Sequence, residues 1–289
     1  MSDKIIVITG ATDGIGLAAA KTIAGQGYRV GLVGRNPDKG KQAMEAIVSE
    51  TGNDKLDFFQ TDLSLVKEVA SLSNQIKNKY PYLNVLLNNA GGASKDKIIT
   101  SEGLERTFAT NQMNYFVLTT NLMDMLSASE GSRVVNVASN AHIGATIDFD
   151  NINSEKKHSW WSTYCVSKLM NIMFTYRLAQ IQNKVTANCL HPGFVNTNIG
   201  GNEGTMIKRI VKFGSNLFAR TVEDGADSSI YLSTSDDVQN VSGKYFFKCK
   251  EIKSSKDPIN KLNGTSFGMF VNLTRNNYHN AKNLITIRL

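Results

Sequence analysis

Short apolar runs alternate with longer mixed stretches from Lys4 to about Leu190. The first run, Lys4-Ile-Ile-Val-Ile-Thr9, is β-branched and almost wholly apolar, which suits a strand buried on both faces of a parallel sheet. A helix-forming stretch, Leu17-Ala-Ala-Ala-Lys-Thr-Ile-Ala24, follows it. Further strands are predicted at 29–34, 56–63, 84–88, 133–139 and 184–190, with helical stretches between them. That alternation predicts an α/β fold: a single doubly wound parallel-sheet (Rossmann-type) domain with helices on both faces. Beyond it, helices are expected at 202–216 and 222–233, and a last strand near Lys244-Tyr-Phe-Phe. A chain of 289 residues suits one large domain better than two. The domain is expected over 1–250, with a substrate lid at about 198–221, and a basic Asn- and Lys-rich tail over 251–289.

The turn after the first strand reads Gly10-Ala-Thr-Asp-Gly14-Ile-Gly16. Glycines let backbone turn tightly and approach a pyrophosphate, and the helix N-terminus behind them offers free N–H groups to an anion. The spacing is Gly-x-x-x-Gly-x-Gly rather than the general dinucleotide fingerprint Gly-x-Gly-x-x-Gly. Sites that choose NAD place a carboxylate near the end of the second strand, on the ribose 2′-hydroxyl. Here Gly34 holds that place and Arg35 follows it. A guanidinium pairs with a 2′-phosphate that a carboxylate would repel, so NADP(H) is the expected cofactor.

Tyr164 and Lys168 stand four residues apart in Tyr-Cys-Val-Ser-Lys, and therefore on one face of a helix. An ammonium beside a phenol favours its ionised form, one way to make a proton donor and acceptor of a group with a free pKa of about 10. Together with the glycine spacing, this pair resembles the short-chain dehydrogenase/reductase family. The resemblance extends to Asn88-Asn-Ala-Gly91 after strand four and to His191-Pro-Gly-Phe-Val-Asn-Thr197 after strand six. It implies a catalytic set of Asn111, Ser139, Tyr164 and Lys168, and no metal. Ser139 would donate to the carbonyl oxygen that gains charge, and Tyr164 would pass the proton. Lys168 would lower the tyrosine pKa and hold the nicotinamide ribose, and Asn111 would hold a water linking Lys168 to solvent. The cofactor would lie on Gly10, Thr12, Gly14, Ile15 and Gly16, with Arg35 at the phosphate and Asp62 and Leu63 at the adenine. Asn89, Ala90 and Gly91 would follow it, and Pro192, Gly193, Val195 and Thr197 would hold the nicotinamide end. His191 reads as a packed loop residue rather than a base.

Within the family, Val134-Val-Asn-Val-Ala-Ser-Asn-Ala-His142, Ile147-Asp-Phe-Asp-Asn-Ile-Asn153 and His191-Pro-Gly193 are similar to the retinol-dehydrogenase-like branch. That branch implies a lipophilic carbonyl or alcohol of retinoid, steroid or xenobiotic type as substrate. Ile143, Trp160, Trp161 and Phe194, with Ile199, Met206, Ile207, Phe213, Leu217 and Phe218, are the expected pocket residues. Ala138 departs from the branch, where a second serine is common. Two other functions stay open on sequence alone: an NADP-binding regulatory or scaffold protein with little turnover, and reduction of a conjugated C=C bond.

The net charge of +7 lies mostly in the tail, where residues 250–289 hold seven Lys/Arg against two Asp/Glu. The nearly balanced body gives no stripe for tracking phosphates, so no nucleic-acid partner is expected. No run of about eighteen apolar residues and no signal segment is present, so no transmembrane span is expected. The patch Thr265-Ser-Phe-Gly-Met-Phe-Val-Asn-Leu273, flanked by cations, offers peripheral membrane contact, docking near the pocket, a terminal helix or plain disorder. Three cysteines, Cys165, Cys189 and Cys249, fall inside predicted elements, which points to reduced thiols and a cytoplasmic setting. The family resemblance allows a homodimer through the helices bearing Asn111 and Tyr164.

Overall fold

A computed structural model describes residues 4–195 and 220–255. Among them, eight strands form one sheet: β1 (Ile5–Thr9), β2 (Arg29–Gly34), β3 (Leu56–Gln60), β4 (Val85–Asn88), β5 (Arg133–Val137), β6 (Thr186–Leu190), β7 (Tyr245–Phe247) and β8 (Lys250–Ile252). Their order across the sheet is β3-β2-β1-β4-β5-β6-β7-β8. All neighbours pair parallel except β7 and β8, which form an antiparallel edge. The strand β8 begins at Lys250 and crosses the expected boundary between the domain and the tail; it was not foreseen. The turn before it takes left-handed backbone at Lys248 and Cys249, residue types that give no sequence signal for it.

Every residue of β1 is buried, and its side chains alternate between two cores. Ile5 and Val7 face one cluster with Leu72, Ile76, Leu118 and Phe174. Ile6 and Ile8 face the other, with Ile23, Leu32, Ile47 and Leu232. This is why the strand shows no polar alternation. Helices α1 (Gly14–Gly25), α2 (Pro37–Thr51) and α7 (Val222–Thr234) supply the second cluster. Helices α3 (Val66–Lys79), α5 (Asn114–Ser127) and α6 (Trp160–Ile181) supply the first. The doubly wound arrangement is the one expected.

Local chemistry fixes the helix ends. Asp13 caps α1 by accepting from Gly14 N at 2.8 Å. Helix α3 has no side-chain cap of its own; the Glu102 carboxylate accepts from Val66 N at 2.5 Å and Lys67 N at 3.0 Å. Buried Arg133 donates to the carbonyls of Leu232 (3.1 Å) and Ser235 (2.8 Å), closing the C-terminal end of α7. A short helix α4 (Arg106–Phe108) runs through a π turn, Ala109–Met113, into α5. The order reversal between β1 and β4 opens a crevice at the C-terminal strand ends, where ligands bind in open α/β sheets.

Candidate active site

The crevice holds two adjoining clefts that share Gly10, Ala90, Gly91 and Gly92 as a common wall. The first, about 360 Å³, is lined by Gly14, Ile15, Gly16, Asn89, Tyr164, Lys168 and Pro192. The second, about 550 Å³, is lined by Thr12, Gly34, Arg35, Asp62 and Leu63. All the predicted cofactor residues through Gly91 therefore border one elongated depression.

The glycines have steric reasons. Gly10 has φ of +65°, and a β-carbon there would lie 3.0 Å from Ala90 Cα. A β-carbon on Gly16 would meet Gly10 O and the Asn89 amide. Asn89 braces β1 against β4: its Nδ2 donates to Thr9 O (2.9 Å) and Gly10 O (3.3 Å), and its N–H donates to Thr9 Oγ1 (2.9 Å). A β-carbon on Gly34 would lie 2.6 Å from Thr12 Cγ2. The place where NAD-type sites carry a carboxylate is thus filled from across the turn. Arg35 points out, 76% exposed, with Nη1 3.9 Å from Asp62 Oδ2. Asp62 Oδ1 accepts from Ser64 N (3.0 Å) and Oγ (2.7 Å), a local turn rather than a helix cap.

At the far end lie Ser139, Tyr164 and Lys168. Strand β5 stops at Val137, two residues earlier than the sequence suggested, and Ser139 instead caps a 3₁₀ turn, its Oγ accepting from Ala141 N at 3.2 Å. Tyr164 and Lys168 sit one turn apart on α6, with Lys168 Nζ 5.9 Å from the Tyr164 ring centre and 5.7 Å from the Tyr115 ring. Lys168 is 3% exposed and donates to Val137 O at 2.9 Å. Burial lowers the Lys168 pKa to about 7. Burial also raises the Tyr164 phenol, against a lowering hydrogen bond from Ser139. The expected lowering of the phenol by an ammonium is therefore not the balance of this protein alone: desolvation favours the neutral form of both groups.

Asn111 sits in the π turn, a helix irregularity frequent at functional sites. Its amide clasps one backbone residue from both sides, with Oδ1 accepting from Gly92 N and Nδ2 donating to Gly92 O, each at 2.9 Å. Nδ2 also donates to Ser167 Oγ (2.8 Å), which in turn donates to Tyr164 O (2.7 Å). A β-carbon on Gly91 would lie 2.9 Å from Lys168 Nζ and 3.2 Å from Asn111 Oδ1. Any side chain at Gly91 would fill this cradle, so the position is kept open above the lysine.

The Pro192–Val195 loop lies beside them. His191 stacks on Phe247 (4.2 Å between centres, 11° between planes), and burial lowers its pKa to about 4, as a packed residue rather than a base. Gly193 has φ of +84°, and a β-carbon there would lie 3.0 Å from Arg220 Cδ. Arg220, which sequence reasoning missed, donates to Pro192 O (3.0 Å) and Asp227 (3.2 Å), and Val195 pairs with it in an isolated bridge. Residues 195 and 220 thus lie side by side. Thr197 and most of the expected lid (Ile199, Met206, Ile207, Phe213, Leu217, Phe218) lie outside the described residues. Of the other pocket candidates, Ile143, Trp161 and Phe194 are more than half exposed, and the Trp161 ring centre is 6.0 Å from that of Tyr164.

The family model described as short chain dehydrogenase matches residues 4–208. The chain belongs to the short-chain dehydrogenase family. Among similar proteins of this family, human polyprenol dehydrogenase is 35% identical over 260 residues, spanning 87% of this chain and 79% of that protein. Human retinol dehydrogenase 14 is 34% identical over 268 residues, spanning 87% and 80%. Among solved structures, a short-chain dehydrogenase from Shigella flexneri complexed with NADP superposes with a TM-score of 0.68 at 27% identity, covering 86% of this chain and 98% of that one. One from Escherichia coli complexed with NADPH gives the same score and coverages at 26% identity. This short-chain dehydrogenase is an oxidoreductase, and its family uses NAD(P)(H). The glycine-walled depression fits such a dinucleotide in backbone access, since side chains at Gly10, Gly16 and Gly91 would close it. No helix among the described residues is long and apolar enough to cross a membrane.

Proposed function

We propose that this short-chain dehydrogenase transfers a hydride between NADP(H) and a carbonyl or alcohol group of a lipophilic small molecule, in a cytoplasmic setting. The observation that carries the reading is that Tyr164 and Lys168 line one end of the glycine-walled cleft, below the open position at Gly91, with Ser139 in hydrogen-bond reach of the Tyr164 phenol. NADP(H), when bound, supplies or accepts the hydride. Ser139 donates a hydrogen bond to the substrate oxygen where negative charge develops. Tyr164 gives that oxygen its proton, or removes it in the reverse direction. Lys168 spends one donor on Val137 O and offers its others to the cofactor ribose. Beside an anionic dinucleotide Lys168 would hold its proton more firmly, and its ammonium would then lower the Tyr164 phenol. Asn111 holds Gly92 and, through Ser167, the Tyr164 backbone; that supports its place in the site as an anchor, with the water relay an added role.

NADP over NAD rests on two features. Thr12 occupies the space a carboxylate at position 34 would need, and Arg35 extends into solvent beside the second cleft. The exposed Ile143, Trp161 and Phe194, with the names of the similar proteins, support a lipophilic substrate. The three cysteines are unpaired, which supports a reducing compartment. The test is NADPH consumption with a panel of aldehydes, ketones, quinones and retinoids, wild type beside Tyr164→Phe. Turnover in the wild type that is lost in the variant supports the assignment. Tight NADPH binding with silence across the panel would remove it.

A further inference from the structure

His142 stands outside the catalytic set, yet it is 1% exposed and both its ring nitrogens are engaged. Nδ1 lies 2.7 Å from the carbonyl oxygen of Ser139, and Nε2 accepts from the backbone N–H of Ser255 at 3.0 Å. A carbonyl oxygen only accepts and a backbone N–H only donates. The two partners therefore fix the ring as neutral, with its proton on Nδ1. A charged ring would set an N–H against the N–H of Ser255. Tyr245 packs edge-on against the ring, 5.3 Å between centres at 82°.

These contacts join the Ser139 turn to the chain leaving β8. The neighbouring Ser254 Oγ accepts from Tyr176 Oη at 3.0 Å, and Tyr176 lies on α6, the helix of Tyr164 and Lys168. The pair Ser254-Ser255 thus bonds to both segments that carry the proposed chemistry. Ala138, Ile172, Cys189 and Tyr245 form a small core behind them, with Tyr176 and Ile252 packed against it. The backbone bonds of His142 N to Ser139 O and of Ile143 N to Asn140 O are local to the turn. The imidazole ties the turn to a distant part of the chain.

We propose that His142 is a positioning residue for Ser139: its Nδ1-protonated ring holds the Ser139 carbonyl and takes its own orientation from the N–H of Ser255. The proposal rests on the role given to Ser139 above. Small displacements of a group that touches the reacting oxygen are costly, up to about a hundredfold for ~1 Å.

Two substitutions separate the halves of the contact. His142→Asn keeps an amide donor near the Nδ1 position and loses the acceptor for Ser255. His142→Gln places a carbonyl oxygen near the Nε2 position and loses the donor to Ser139. With NADPH and an aldehyde substrate, His142→Gln is expected to lower kcat at least about tenfold while the NADPH Kd stays within about threefold of wild type. His142→Asn, which keeps the donor to Ser139 and loses only the orienting contact to Ser255, is expected to lose less in kcat than His142→Gln. Circular dichroism and thermal melting check that both are folded. The ¹⁵N imidazole resonances of the full-length wild type should show His142 protonated at Nδ1. Wild-type kcat in folded His142→Gln, equal losses in both variants, or an Nε2-protonated ring would each overturn the proposal. If neither variant folds, the tautomer decides. A wild type silent on every carbonyl sinks the activity reading instead, and the tautomer then decides the His142 contact by itself.

Discussion

Replacing Arg35 by Asp asks how the protein tells NADPH from NADH. Arg35 is 76% exposed and its contact with Asp62 is 3.9 Å long. An exposed pair of that kind is worth at most about 1 kcal/mol, so the guanidinium leaves it for a phosphate at little cost. A charge-assisted hydrogen bond to a 2′-phosphate contributes about 1.5–3 kcal/mol. Asp in its place adds repulsion of about 1 kcal/mol per unit of phosphate charge, taking ~6 Å and an effective dielectric of ~40–50 between surface and water values. The neighbouring Asp62 loses its counter-charge and adds to this. With one to two units of phosphate charge the sum is about 2.5–5 kcal/mol, which corresponds to a rise of roughly 70-fold to 5,000-fold in the NADPH Kd. NADH, without the phosphate, should change by less than about threefold. Arg35→Gln removes the attraction without adding the repulsion and should fall between. Titration of both cofactors by fluorescence or calorimetry at low and high salt checks this, and the NADPH effect should shrink as salt screens it. Equal weakening of NADPH and NADH would show that Arg35 does not meet the 2′-phosphate.

Three further outcomes are expected. Tyr164→Phe should keep NADPH affinity and lose turnover by about 10²–10⁴-fold, measured under cofactor saturation, because only proton transfer is removed. Lys168→Met should raise the melting temperature of the cofactor-free protein at pH 6, since the folded chain holds this lysine near a pKa of about 7 against about 10.4 unfolded. Below pH 7 folding carries the whole desolvation penalty; from there to about pH 10.4 the unfolded chain binds the extra proton, wild-type stability rises, and the variant's advantage should fade. Val137 O keeps Tyr115 Oη as a donor at 3.3 Å, so the substitution orphans no acceptor. Glu102→Ala should lower stability by about 1 kcal/mol in a denaturant melt with kcat unchanged, because it removes the cap of α3 without touching the cleft.

The parallel sheet was legible because its inner strands are buried on both faces and so appear as mainly apolar runs, as in β1. The glycine turn was legible because close approach leaves no substitute for glycine at Gly10 and Gly16. The antiparallel edge β8 was not: three residues, two of them exposed, make no pattern, and neither Lys248 nor Cys249 announces left-handed backbone. Arg220 was missed for another reason. Its partners, Pro192 O and Asp227, are a backbone atom 28 residues away and a surface carboxylate, and neither leaves a local signature. The same holds for Glu102, which caps a helix from 36 residues away. Sequence patterns report what a residue does to its neighbours in the chain; these contacts are made by topology.

The π turn at Ala109–Met113 shows how topology sharpens the site. A buried polar chain runs beneath it: Asn88 donates to Thr119 (3.0 Å) and Asn136 (2.8 Å), and Asn136 donates to Thr175 (2.9 Å). Thr175 donates to the backbone of Asn171 (2.7 Å), and the Asn171 side chain donates to Asn111 O (2.8 Å). Each of these side chains is fully buried. An apolar set would pack there without directional demand, whereas buried amides are costly unless their partners are in place. The chain therefore ties β4, β5, α5 and α6 in one register and delivers Asn111 to a fixed point. From there the side chain of Asn111 reaches Gly92 and, through Ser167, the backbone of Tyr164. Lys168 is tied separately to Val137, just before Ser139. The proposed catalytic groups are thus tied to the sheet and to one another by bonds to backbone at Gly92, Tyr164 and Val137, which restricts their positions before substrate arrives.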